Sequence, residues 1–175
     1  MTPGSRRARW PLALAAVSLL ALGWTALATS QPRLVYNASA SMPIGWYRIT
    51  ATSTVAAGDR LLVHLPPEVM ALAAQRGYLP ANVPLLKTVA AMAPQRVCVQ
   101  GSQVRIDGDL VAKRLRWDRQ GHALPAWQAC RHLVGDELFL LSSRNPESFD
   151  SRYFGPISAN AVIGRAQPLW LESRR

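Results

Sequence analysis

Between Arg9 and Arg33 the chain carries no charged residue, and WPLALAAVSLLALGWTALATSQP is apolar along most of its length. A membrane-spanning helix takes roughly 17–25 mostly apolar residues, and a signal peptide's apolar region only about 7–15. Leu12 to Ala28 falls at the lower edge of the first range. After this segment the pattern changes to short apolar or alternating runs broken by turn residues, which predicts strands. WYRIT and RLLVHL are two strands joined across ATSTVAAGD, with Gly58-Asp59 as the turn. Pro66-Pro67 ends the second, and EVMALAAQRGY is one short helix stopped by Gly77. LPANVP is a loop, and LLKTVAAMA is an apolar stretch holding a single lysine. In QRVCVQGSQVRIDGDLVAKRLRW, Asp107-Gly108 between alternating segments marks a two-residue hairpin. Residues 117–131 are polar and irregular. GDELFLLS is a strand, SRNPESFDSRYFGP a turn-rich loop, and ISANAVIGRAQPLWL a final strand pair. The pattern predicts an all-β or β-dominated domain with one short helix over residues 31–175. Residues 1–30 form a basic and apolar N-terminal segment ahead of it.

Composition narrows the setting. The chain has 175 residues, of which 49% are apolar, enough for one packed domain. Twenty Lys and Arg against ten acids give a formal net charge of +10, which suits an acidic partner or an anionic membrane surface. The positive residues are scattered, clustering only as RRAR near the start and RR at the end, without basic–aromatic interleaving. We expect no direct nucleic-acid partner. The early arginines favour the cytoplasmic side, which exports everything after residue 30. The expectation is a retained anchor in the bacterial inner membrane, a single transmembrane helix, with the domain in the periplasm. Ala26-Leu27-Ala28 also fits an A-x-A cleavage site, and removal of residues 1–28 as a signal helix would release the domain into the periplasm. Cys98 and Cys130, an even count in an exported domain, read as one disulfide.

Candidate chemistry is reached by what the chain lacks and what it keeps. It has no H-E-x-x-H, P-loop, dinucleotide glycine fingerprint or G-x-S-x-G elbow. The two cysteines lack the close spacing of a zinc site, and His64, His122 and His132 form no spaced pair, so neither metal nor cofactor is expected. Serine with lysine remains. A serine hydroxyl needs a base to accept its proton, and a neutral amine can serve. Apolar burial lowers a lysine pKa from about 10.4 by up to about 3–5 units. Lys87 is the only charged residue between Arg76 and Arg96. The residues alone leave it open between a buried base and a strand-edge side chain that snorkels to water. They likewise leave Ser41 open between a turn residue and a nucleophile. Pro43 pushes Met42 toward extended backbone, and strand alternation would set Ser39 on the same side as Ser41. A second hydroxyl there can donate to an oxyanion.

Four blocks, S-A-S-M-P (39–43), G-D-R-L-L-V (58–63), L-L-K-T-V-A (85–90) and N-P-E-S-F-D-S-R-Y-F-G-P (145–156), follow the apolar segment in that order. They resemble the type I signal peptidase (serine–lysine, S26) family. The N-x-S-x-S-x-P-x-G-x-Y spacing of Asn37, Ser39, Ser41, Pro43, Gly45 and Tyr47, with the small size, resembles the TraF-type peptidases of conjugative transfer systems more closely. The resemblance implies a signal-peptidase-like (LexA-like) β-fold. It implies Ser41 as nucleophile, Lys87 as general base and Ser39 as an oxyanion donor with the Ser41 N–H. Ser148 matches the serine that orients the lysine amine, and Asp150 and Arg152 match a supporting pair. Cys98–Cys130 would pin an extra hairpin region at about 96–132, away from the chemistry. Two departures stand out: Ser142-Ser143-Arg144 replaces the usual G-D-N, and Thr88 replaces the basic residue often found after the lysine. The activity implied is that of a membrane-associated serine endopeptidase. Its substrate would be a pilin or other exported precursor, and its partners the inner membrane and components of a conjugative transfer system. The TraF type implies pilin maturation, by cleavage and by cyclisation through attack of the pilin's own amine. A non-catalytic periplasmic assembly factor and a general signal peptidase are the alternative readings.

Overall fold

The computed structural model describes residues 9–27, 34–142 and 144–172. The basic residues 1–8, Ala28 of the A-x-A site, Ser143 and the final Arg174-Arg175 lie outside them. The chain divides into two compact units, Met1–Pro32 and Arg33–Arg175. In the first, α1 (Arg9–Leu27) is a helix whose apolar side chains from Trp10 to Trp24, among them Leu12, Leu14, Val17 and Leu20, are exposed. Among the described residues no helix is long and apolar enough to cross a membrane.

The second unit is built of short antiparallel strands. In chain order these are β1 (Leu34–Asn37), β2 (Gly45–Thr50), β3 (Arg60–Val63), β4 (Leu85–Met92), β5 (Arg96–Gln100), β6 (Gln103–Ile106), β7 (Asp109–Lys113), β8 (Ala129–His132), β9 (Glu137–Leu141), β10 (Ile157–Ser158) and β11 (Val162–Leu171). Helix α2 (Pro67–Gln75) lies between β3 and β4, and the single turn α3 (Ser151–Phe154) between β9 and β10. A seven-stranded sheet runs β1-β2-β11-β3-β4-β9-β10, and a four-stranded sheet runs β7-β6-β5-β8.

Local sequence explains most of these elements. β2 alternates, with Tyr47 and Ile49 buried and Trp46 and Arg48 exposed. The hairpin between β6 and β7 turns on Asp107 and Gly108, both at positive φ (51° and 100°), as a two-residue turn matched to strand twist requires. In α2, Pro67 takes the first helical position and Glu68 the first turn. Its end is closed by Tyr78 N–H donating to Ala73 O (2.9 Å) and Gly77 N–H to Ala74 O (3.1 Å).

Three expectations need correction. The last segment is not a strand pair: β10 adds to β9, whereas β11 is one ten-residue strand pairing with both β2 and β3. Pro168 does not break it, because the register shifts there into a bulge that accommodates a residue with no N–H. The loop after β9 contains α3, whose first turn is capped by Asp150 accepting from Arg152 N–H, so the domain holds more than one short helix. The irregular stretch 117–131 ends inside β8, where Cys98 pairs with Cys130 across strands.

Burial is divided among three clusters. Leu61, Val63, Val89, Leu138 and Leu140 pack with Ala73 of α2 on one face of the large sheet. Tyr47, Ile49, Leu62, Leu86 and Met42 form a second cluster, and Met42 is the residue directly after Ser41. Val97, Val99, Val104 and Ile106 of the small sheet close a third over Ala91, Phe139 and Leu141. The four-stranded sheet thus grows from the far ends of β4 and β9.

Candidate active site

Ser39 and Ser41 lie in the turn after β1, not in a strand, so alternation is not what brings them together. The Asn37 side chain does this. Its Nδ2 donates to the carbonyls of Ser39 (2.9 Å), Met42 (3.2 Å) and Pro43 (3.0 Å), and its Oδ1 accepts from Ser39 N–H (3.2 Å) and Ser39 Oγ–H (3.0 Å). Tyr47 Oη–H also donates to Pro43 O (2.7 Å). Two motif residues named for their spacing alone, Asn37 and Tyr47, are therefore the clasp of this turn. Gly45 is fixed by space: at φ 142° a Cβ would stand 2.2 Å from the Trp170 carbonyl oxygen. Ser39 Oγ and Ser41 Oγ are 2.7 Å apart. Each hydroxyl has one hydrogen, and Ser39 commits its own to Asn37, so Ser41 donates to Ser39.

Lys87 comes from the middle of β4, opposite Leu61 of β3, and only 2% of it is accessible. Its Nζ donates to Ser148 Oγ. Burial pulls the amine down from its ordinary 10.5 to about 8; Asp150 opposes this and Arg152 adds to it. The structure thus favours the buried over the snorkelling reading of this lysine. Asp150 and Arg152 are fully buried and paired, with Arg152 Nε donating to Asp150 Oδ1 (2.7 Å) and Nη2 to Oδ2 (3.0 Å). Arg152 Nη1 also donates to the carbonyls of Lys113 (2.9 Å) and Pro146 (2.8 Å), which ties the loop carrying Ser148 to the end of β7.

Ser39, Ser41, Lys87 and Ser148 all open into one cavity of about 620 Å³, whose other walls include Leu65, Ala73, Leu79, Leu85 and Phe149. Among the described residues no hydrogen bond joins Lys87 Nζ to Ser41 Oγ directly, and such contacts commonly tighten only with substrate in place. β4 pairs with β9 only from Thr88 onward, so Leu85 to Lys87 lack a β9 partner beside the cavity. Thr88 itself packs against the turn that carries Ser41, with Oγ1 3.5 Å from Met42 Sδ.

The disulfide-pinned region is not wholly remote. Cys98 and Cys130 are bonded, yet Leu115, Trp117, Asp118 and Arg119 from the loop between β7 and β8 line the same cavity. This loop is sewn to the end of α2: Tyr78 Oη–H donates to Asp118, and Arg76 Nη1 donates to Ala123 O (2.7 Å). Burial pushes the Asp118 carboxyl up, but hydrogen bonds from Tyr78, His122 and Gln120 outweigh it and hold the group well below its ordinary value. Sequence spacing gave no sign of this wall. Ser142 was also missed, as a departure from the usual motif with no role attached; its Oγ–H donates to Ser41 O at 2.6 Å.

Lys87, buried and with its amine lowered, thus shares one cavity with the turn-held Ser41. The chain belongs to the signal peptidase S26 family: a family model described as "Signal peptidase, peptidase S26" matches residues 7–171. Within that class the relatives are named for conjugation. "Conjugal transfer protein TraF" of Agrobacterium tumefaciens (strain 15955) is 36% identical over 174 residues, covering 94% of this chain and 96% of its own. "Probable conjugal transfer protein TraF" of Sinorhizobium fredii (strain NBRC 101917 / NGR234) is 37% identical over 139 residues, 75% of this chain and 73% of its own. "Plasmid transfer protein TraF" of Escherichia coli is 31% identical over 144 residues, 76% and 80% respectively.

Proposed function

We propose that this chain is a membrane-associated serine endopeptidase that uses Ser41 and Lys87 to mature exported precursors, with the pilin of a conjugative transfer or type IV secretion system as its substrate. The carrying observation is the amine of Lys87, lowered to about 8 by burial in the cavity that also holds Ser41. Near neutrality a tenth or so of such an amine is unprotonated, against less than a thousandth at the ordinary value.

The chemistry follows from the groups present. Ser41 Oγ attacks the scissile carbonyl while its proton, donated to Ser39 at rest, passes to Lys87 Nζ. The Ser41 N–H, and the Ser39 hydroxyl once its hydrogen turns from Asn37 Oδ1, donate to the charge that develops on the carbonyl oxygen. The tetrahedral intermediate collapses to an acyl-enzyme as the leaving amine takes the proton back from Lys87. Water then releases a linear product, and the mature pilin's own amine releases a cyclic one. Ser148 holds the lysine amine, and Asp150 with Arg152 holds the loop that carries Ser148. The substrate binds extended along the unpaired edge of β4 at residues 85–87, with small side chains against the apolar wall. The net charge of +10, the arginines ahead of α1 and the uncharged segment between Arg9 and Arg33 support an inner-membrane location with this domain in the periplasm.

Full-length protein carrying Ser41→Ala or Lys87→Ala, incubated in membranes with pilin precursor, is expected to lose about 10³-fold or more in processing rate while remaining folded. Processing at the parent rate by either variant refutes the dyad. The mass of the product separates hydrolysis from cyclisation, since the cyclic form lacks one water.

A further inference from the structure

Ser142 stands 101 residues from Ser41 in sequence and replaces the first residue of the usual G-D-N. Its hydroxyl is the node of a hydrogen-bond chain that joins the two halves of the site. Oγ–H donates to the Ser41 carbonyl (2.6 Å) and Oγ accepts from Asn145 N–H (2.9 Å) and Arg144 N–H (3.3 Å). One donor hydrogen and two acceptor positions are thereby filled, which is all a serine hydroxyl offers. Asn145 O in turn accepts from Ser148 N–H (3.1 Å), and Ser148 Oγ accepts from Lys87 Nζ. The path from nucleophile to base therefore runs Ser41 carbonyl, Ser142, Asn145, Ser148, Lys87. On its other side the Ser142 N–H donates to Asp150 Oδ2 (2.9 Å), which locks the node to the buried Asp150–Arg152 pair.

Apart from the Thr88 Oγ1 contact with Met42 Sδ (3.5 Å), the other hydrogen bonds on the nucleophile turn come from its own side. Asn37 holds the carbonyls of Ser39, Met42 and Pro43, and Tyr47 holds Pro43 again. Ser142 alone among these takes the carbonyl of Ser41 itself, and it alone reaches from the wall that carries Ser148. Resting on the peptidase reading above, we infer that Ser142 is a positioning residue, whose hydroxyl holds the Ser41 carbonyl and so sets the nucleophile in register with Lys87 and fixes the attack distance. A nucleophile displaced by about 1 Å loses on the order of 100-fold in rate, so one such tie is worth a measurable factor.

The test uses full-length protein in membranes with an exported precursor. Ser142→Ala is expected to lower kcat by about 10- to 100-fold with KM little changed, because the substrate cleft is not touched. The acid limb of its pH–rate profile stays near that of the parent, since the surroundings of Lys87 are kept. Ser142→Thr, which keeps the hydroxyl, recovers most of the rate. The Ser41 carbonyl ¹³C resonance moves upfield in Ser142→Ala and not in Ser142→Thr, a readout that needs no substrate. Parental kcat in Ser142→Ala, or a loss that Ser142→Thr does not repair, overturns the assignment. Ser41→Ala and Lys87→Ala run alongside keep the two claims apart. If those are inactive and Ser142→Ala is not impaired, only the positioning role fails. If those are active, the peptidase reading fails and takes this role with it.

Discussion

In the four-stranded sheet, β5 and β6 bury Val97, Val99, Val104 and Ile106 against the ends of β4 and β9, and a covalent bond between Cys98 and Cys130 fastens β5 to β8. In the seven-stranded sheet β4 carries a buried amine, and the segment after β9 carries a buried carboxylate and guanidinium. The small sheet is stabilised by apolar packing and a crosslink; the large sheet keeps charges out of water at the place where chemistry is proposed. Burying an amine, a carboxylate and a guanidinium costs free energy that neighbouring charges and hydrogen bonds only partly return. A fold that needed only stability would put hydrophobic residues there, which is why the contrast points to the large sheet as the functional one.

Breaking the ionic network is expected to have the largest effect on stability. Arg152→Ala leaves Asp150 charged and buried and frees the carbonyls of Lys113 and Pro146, so it should cost about 3–5 kcal/mol in urea unfolding and also depress processing. Removing the staple is expected to cost somewhat less, about 3–4 kcal/mol for a loop of this length, through the unfolded chain. Cys98→Ala/Cys130→Ala should keep its kcat, with a moderate rise in KM because the cavity wall at Leu115 to Arg119 hangs between β7 and β8. A loss of kcat in the cysteine variant, or unchanged processing in Arg152→Ala, would erase the distinction between the two sheets.

The smallest effect is a pH dependence. Lys87 titrates at about 8 in the folded chain and near 10.5 when unfolded. Between those values the unfolded chain binds a proton that the folded chain does not, so stability rises with pH across that window. The gap corresponds to about 3 kcal/mol, carried as a full penalty below pH 8 and absent above 10.5. Unfolding by urea at pH 7.5 and pH 10 measures it, after subtraction of the same difference in Lys87→Met.

The sequence made different parts of this molecule legible for identifiable reasons. Alternation marked β2 and Asp107-Gly108 marked the β6–β7 hairpin because both signals are local. Lys87 was visible because nothing charged flanks it from Arg76 to Arg96, but its burial, which the residues alone left open, is seen only in the fold. Ser39 and Ser41 were paired for the wrong reason, since a side-chain clasp by Asn37 and not strand alternation sets their 2.7 Å contact. Ser142 and the wall from Leu115 to Leu124 were not legible at all. Their partners, Ser41 and the end of α2, are remote in sequence, and no period or spacing records a contact that tertiary packing makes.

The central claim is that burial in β4 turns Lys87 into a base. The direct measurement is a titration of the Lys87 Nζ by NMR in the full-length protein, set beside the pH dependence of kcat/KM for precursor processing. Both should give a value near 8, with the rate rising as the amine deprotonates. A Lys87 that titrates above 10, or an acid limb that stays at the same pH when Lys87 is replaced, would contradict it.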